Sequence, residues 1–236
     1  MKLWDLSPRI DEELKVWPGD TPPTREVLCE LEKGASVTLS TLRATVHLGS
    51  HVDGANHYAK GAPGVEGWEI ERFVGPCHVM EARAERGRRV SILDFGSTIA
   101  DSQSDGGVQA SGGANAAREA RGEAALARIV HPRVLIKTGT YPDFRVFNED
   151  FAGLEPSLID ALAGRGVKLI GVDTPSVDSF SSKDLPAHAA CFRGGIAILE
   201  GLVMRDVEPG EYELIALPLK LAGFDASPVR AVLRRT

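Results

Sequence analysis

HLGSHVDGANHY, residues 47–58, sets His47, His51, Asp53 and His57 within eleven positions. The chain holds six histidines in 236 residues, so chance would place about 0.3 in such a window. The even spacing turns all four residues to one side of a β-strand. A straight strand, however, would separate the Cα atoms of His47 and Asp53 by about 20 Å. Side chains with metal bonds of about 2 Å cannot meet across that gap. In a helix, Asp53 would point away from the His47/His51 face. The chain must therefore curl around whatever it binds, and Gly49 and Gly54 are the residues that permit the turns. Imidazole nitrogens with one carboxylate suit zinc or a similar divalent transition metal, not calcium, which prefers oxygen. Three protein ligands leave a place for water, whose pKa a metal lowers to about 7. A solvated polar loop and histidines satisfied within a core are the alternatives that spacing leaves open.

Upstream, residues 25–46 read as two extended segments joined near Lys33-Gly34, from their alternation and β-branched content. Downstream, CHVMEARA (77–84), RVLIKT (133–138), VKLIGVD (167–173) and GIAILEGLV (195–203) are short apolar runs of strand length. PSLIDALAGRG, from Pro156, has the proline start and glycine stop of a short helix. Strands and helices that alternate unevenly predict a mixed α/β (α+β) fold, with residues 1–236 forming a single domain. Residues 97–113 hold almost nothing that could be buried and read as a mobile loop. From about Asn115 the Ala/Arg/Glu composition suits a helix capped by that asparagine. A linker between two domains is the other reading of that region.

Hydrophobic residues make up 43% and charged residues 25% of the chain, as in packed globular proteins. The net charge is −6 with no Lys/Arg block, which argues against a nucleic-acid partner. No stretch approaches the roughly 20 apolar residues of a membrane span, and the opening residues lack a signal-peptide core. Three widely spaced cysteines imply no disulfide framework, and a cytoplasmic setting is expected.

LPAHAACFRGGIAILEGL carries a second pair, His188 and Glu200. Glu200 interrupts an apolar run, where an anion needs a compensating partner. A metal ion, or a salt bridge to an arginine such as Arg193, would each serve. Asp173 and Asp178 follow a strand, where turn formation is the commoner role. His78 and His131 flank strands and read as structural or surface groups. Cys191 reads as packing.

HLGSHVDGANH is similar to the HxGTHxDxPxH signature of the metal-dependent cyclase family. LWDLSP (3–8), VWPGDTP (16–22), GVDTPSVD (171–178), LEGLV and YELIALPLKLAGFDASPVRAVL resemble the formamidase branch of that family. The similarity spans nearly the whole chain except about 97–125. It implies a cyclase-like fold with a mixed, barrel-like central sheet flanked by helices. It also implies a homodimer and two metal ions, usually zinc, with manganese or another divalent ion as an alternative. His47, His51 and Asp53 would hold one ion; Asp53, bridging, would hold the second with His188 and Glu200. His57 would be the general acid/base and Trp17 would lie against the substrate. The implied reaction is hydrolysis of N-formyl-L-kynurenine to L-kynurenine and formate. The runner-up is hydrolysis of an isatin-type or other aryl or cyclic amide, and a non-catalytic metal-binding protein is the reading of another class. No GxSxG elbow supports a serine hydrolase. Gly54-Ala55 stands where the family commonly has Ala-Pro, which loosens the turn before His57. Ser50 replaces a small Thr or Ala without consequence.

Overall fold

The computed structural model describes residues 2–96 and 112–235. In chain order the strands are β1 (Leu3–Asp5), β2 (Thr24–Cys29), β3 (Leu39–Arg43), β4 (His51–Asp53), β5 (Val74–Glu81), β6 (Arg89–Val90) and β7 (Arg133–Lys137). They continue with β8 (Gly153–Leu154), β9 (Leu169–Val172), β10 (Ala197–Glu200), β11 (Gly210–Ile215), β12 (Ala226–Pro228) and β13 (Val232–Arg234). The helices are α1 (Gly112–Leu126), α2 (Pro156–Gly164) and α3 (Pro186–Gly194).

Nine strands form one mixed sheet in the order β1-β13-β11-β5-β7-β9-β10-β4-β12. Its centre, β5-β7-β9-β10, is parallel, and antiparallel strands continue it on both sides. The sheet curls into a half-barrel, as the mixed α/β expectation required. The parallel centre explains the short unbroken apolar runs in the sequence, because parallel strands are covered on both faces.

Alternation along each strand divides the core into two layers. Val134, Ile136, Ile170, Val172 and Ile198 meet Leu158, Leu162, Ala187 and Ala190 of α2 and α3 on one face. Leu135, Leu169, Ala197 and Leu199 meet Val52, Val79, Tyr212 and Leu214 on the other. Pro156 begins α2, and Gly166, at φ 82, follows its end. β2 and β3 pair only with each other, and Gly34, at φ 87, lies in their connection.

One sequence expectation needs adjustment, one lies mostly outside the described residues, and one helix was not expected. The helix expected from Asn115 begins at Gly112, so Asn115 lies inside it instead of capping it. The loop expected over 97–113 falls, up to residue 111, outside the described residues. α3 itself was hidden in PAHAACFRG, which is too short and too mixed in polarity to show a helical period.

The same alternation delivers the polar residues. Leu199 pairs with Val52 and Glu200 with His51 across β10 and β4. Leu199 and Val52 belong to the layer away from the helices. Glu200 and His51, one residue on, therefore face the helical side, as does Asp53. α3 lies on that side with His188 buried beside Ala187.

Two-sided burial of the parallel centre has a direct test. Leu135→Ala and Ile136→Ala, on opposite faces of β7, are each expected to cost about 3 kcal/mol, read as a lower denaturation midpoint at unchanged m-value. A sheet with one solvated face would pay for only one of them.

Candidate metal centre

β4 is three residues long because the chain turns sharply on either side of it. Before it, Gly49 adopts φ 57, a left-handed conformation that bends His47 back over the strand. The predicted curl is therefore real at Gly49. Gly54 differs from expectation: its φ of −76 is open to any residue. It is needed for space, since a Cβ there would lie 2.7 Å from Val65 N and 2.9 Å from the Phe224 carbonyl.

The result is a cluster around Asp53. This carboxylate is completely buried, yet neither oxygen has a hydrogen bond, and His51 Nε2 is buried and equally orphaned. His47 Nδ1 and His51 Nε2 lie 3.3 and 3.6 Å from Asp53 Oδ1. On the other side, His188 Nε2 lies 3.6 Å from Asp53 Oδ2 and 3.8 Å from Glu200 Oε1. Glu200 Oε2 lies 3.3 Å from His51 Nε2. Donors bonded at about 2.0–2.2 Å to one tetrahedral ion stand about 3.3–3.6 Å apart. The spacing, the orphaned atoms and the N/O donor set together fit divalent transition metals.

Each inner nitrogen is aimed by an acceptor on the far side of its ring. His51 Nδ1 lies 3.0 Å from the Gly49 carbonyl. His188 Nδ1 lies 2.8 Å from Asp178 Oδ2, and His47 Nε2 lies 3.1 Å from Asp225 Oδ2. Donation to these acceptors leaves the inner lone pairs free for a cation. Asp178 also accepts from the backbone of Ala187 and His188 and pairs with Arg89 at 2.7 Å. Burial opposes its charge, but these donors prevail and hold its pKa at about 2.

Without a cation the cluster retains protons. Burial works against a charged His47, but Asp53 and Asp225 push its pKa up to about 9. Burial likewise opposes a charged His188, and Asp178 with Asp53 raises it to about 10. Asp53 is held well below the carboxylate range despite its burial, by His188 and His47. A metal ion must therefore displace protons from His47 and His188 near neutral pH, and its apparent affinity weakens as pH falls.

A cavity of about 360 Å³ opens onto the cluster. His47, His51, His188 and Glu200 line it, as do the aromatic side chains of Trp17, Tyr141, Phe144 and Phe147. Trp17 also packs on Phe180, ring centroids 5.0 Å apart, so it is lining and packing residue at once. His57 sits at the cavity, a third exposed. Burial and the neighbouring His47 lower its pKa, against the pull of Asp53.

The structure thus brings together all seven residues singled out from the sequence. The salt-bridge alternative for Glu200 fails, because Arg193 pairs with Asp160. Asp173 does anchor a turn, accepting from Thr138 and Gly139. Asp178 does not; it aims His188. Asp225 gave no signal at all, since it sits in a turn, GFDASP, 168 residues from His57. His78 and His131 stack on each other outside this cavity.

Asp178→Asn keeps the side chain's size while removing its charge. It is expected to weaken zinc binding by about 10–100-fold, measured by competition with a chromogenic chelator, with the fold retained by circular dichroism.

The cyclase family model ("Putative cyclase") matches residues 4–179. Kynurenine formamidase of Bordetella petrii is 39% identical over 237 residues, covering 99% of this chain and 98% of the relative. Kynurenine formamidase of Bordetella avium is 39% identical over 233 residues, with the same coverage. Among solved structures, a predicted metal-dependent hydrolase from Bacillus stearothermophilus aligns with TM-score 0.70 and 26% identity, over 98% of this chain and 97% of that one. Isatin hydrolase A from Labrenzia aggregata shares the fold, with TM-score 0.73 and 21% identity over 98% and 93%. The chain belongs to the cyclase family, with kynurenine formamidases among its full-length relatives.

Proposed function

We propose that this protein hydrolyses N-formyl-L-kynurenine to L-kynurenine and formate, with two divalent ions, zinc, in the cluster. His47, His51 and Asp53 would hold one ion, and Asp53, His188 and Glu200 the other. The observation that carries the reading is one cavity lined both by the metal-fitted cluster and by aromatic side chains, in a chain with kynurenine formamidases among its full-length relatives.

Bound divalent ions supply the Lewis acidity that polarises a carbonyl and makes water nucleophilic near neutral pH. The chain's own residues do the rest. The aromatic side chains of Trp17, Tyr141, Phe144 and Phe147 receive the aryl ring. That leaves the small formyl group for the cluster. His57 accepts the proton that water loses as its oxygen joins the formyl carbon. It then passes that proton to the arylamine nitrogen as the C–N bond breaks, because the amine is too basic to leave as an anion. Lys15 and Asp20 line the same cavity and match the carboxylate and ammonium of the amino-acid end.

A cytoplasmic homodimer belongs to this reading. The cysteines are free, as in a reducing compartment. No helix among the described residues is long and apolar enough to cross a membrane. The β2–β3 arm exposes Val27, Leu28, Leu39 and Leu42, which a second copy would cover.

The deciding assay compares protein as purified, stripped by chelator, and refilled with zinc. Formate release is expected to vanish on stripping and return on refilling. His57→Ala should lower kcat by about 100-fold or more with zinc content unchanged, whereas Glu200→Ala should lower zinc content itself. Absence of turnover by zinc-loaded protein, with isatin opened instead, would move the assignment to the isatin-type reaction.

Lys15→Ala should raise KM for N-formyl-L-kynurenine by about fivefold, the worth of one exposed ion pair. It should leave formanilide, which lacks the amino-acid end, unaffected. Equal effects on both substrates would remove Lys15 from substrate recognition.

A further inference from the structure

Among the described residues, His57 is the one histidine of the cluster with no hydrogen-bonded partner to aim its ring. His47 lies 4.3 Å from it and His188 5.9 Å, centroid to centroid, and neither contact decides which nitrogen faces the cavity. The carboxylate nearest its Nδ1 among the described residues is Asp225, with Oδ2 3.7 Å away. The same oxygen lies 3.1 Å from His47 Nε2.

Asp225 owes this position to its backbone. β12 begins one residue later and pairs with β4, Ala226 opposite Asp53. Gly54 N–H donates to the Asp225 carbonyl at 2.7 Å, and Val65 N–H to the Phe224 carbonyl at 2.9 Å. Asn56 Nδ2 donates to the Gly223 carbonyl at 3.2 Å. Residues 223–226 therefore clamp the turn that carries His57, on the side where Gly54 leaves room for them. The carboxylate that this clamp presents has two ion-pair partners among the described residues, His47 and His57.

We infer that Asp225 is the positioning residue of the hydrolysis proposed above: its carboxylate accepts a hydrogen bond from His57 Nδ1–H, so that Nε2 faces the cavity as the proton-transferring nitrogen. The 3.7 Å separation lies just beyond hydrogen-bond range, and closing it falls to the half-exposed Asp225 carboxylate. Asp225 stays ionised throughout. One proton passes from water to His57 Nε2 and from there to the departing nitrogen, so the ring ends as it began. The shared contact to His47 couples the orientation of the acid/base to that of a candidate ligand.

The inference rests on the proposed reaction, but it is testable apart from it. Full-length, zinc-loaded protein labelled with ¹⁵N-histidine is compared with Asp225→Ala, and the His57 signals are identified through His57→Gln. The expected result, with both proteins held at saturating zinc because Asp225 also contacts His47, is an Nδ1–H tautomer in the wild-type protein that is lost in Asp225→Ala. For kinetics, Asp225→Asn is expected to lower kcat by about 10–100-fold with KM within about twofold, and Asp225→Glu to recover part of the loss. An Nε2–H tautomer in the wild-type protein overturns the inference. So does a kcat for Asp225→Asn at saturating zinc within about threefold of wild type, since activity restored by added zinc alone would place Asp225 behind the ligand His47 only. Should wild-type protein fail to hydrolyse any formylated arylamine, the proposed reaction falls, and the tautomer measurement alone decides the place of Asp225.

Discussion

A carboxylate buried without a hydrogen bond is the constraint around which this structure is arranged. Taking Asp53 from water costs several kcal/mol unless something of opposite charge accompanies it. Nothing in the backbone does: β4 spends its hydrogen bonds on β10 and β12, and neither Asp53 oxygen receives one. Two rings approach Oδ1 and one approaches Oδ2. A cation on each side, or protons on the rings in its place, is what makes the burial tolerable. The same demand explains why α3 is docked where it is. Asp178 fixes the first backbone amides of that helix and His188 Nδ1 together, so the helix start and the imidazole are set by one side chain. Leu185, immediately before α3, is the single non-glycine residue at positive φ among the described residues. That strained conformation lies at the cavity wall, where such strain commonly gathers.

Much of this was legible beforehand, for definable reasons. The strands at 133–137, 169–172 and 197–200 announced themselves because two-sided burial leaves an unbroken apolar run. His47, His51, Asp53 and His57 were visible because rare residues at short spacing are improbable by chance. His188 and Glu200 were ambiguous until strand register set Glu200 opposite His51, which no local pattern encodes. Asp225 was invisible, because its proximity arises from a strand pair between residues more than 160 apart. Gly54 was misread in kind: its sequence context suggested backbone freedom, whereas its real constraint is the closeness of two other chain segments.

The missing proline at position 55 illustrates how rigidity can be relocated. A proline there would stiffen the entry to the His57 turn through its own ring. Here the turn is instead held from outside, by hydrogen bonds to Gly223, Phe224 and Asp225 on three neighbouring residues of the C-terminal segment. The two devices differ in what they bring along. A ring restrains only the chain it belongs to, whereas this clamp also delivers a carboxylate to the imidazole that the turn carries.

Four histidines around one aspartate, three of them in one short motif, thus differ in their outer contacts and not in their own chemistry. Three rings, His47, His51 and His188, have an acceptor of 2.8–3.1 Å behind them and an inner nitrogen 3.3–3.6 Å from Asp53. That arrangement holds a lone pair still, as a metal ligand requires. His57 has no such acceptor in hydrogen-bond range among the described residues, is the most exposed ring of the four, and stands at the cavity. A ring that must pick up and release a proton has to keep one nitrogen accessible, and it must avoid being drawn onto the ion. In the proposed reaction, separation of ligand from acid/base would follow from where the oxygens behind each ring lie, and the sheet edge next to Asp53 and Asp225 sets those positions for both.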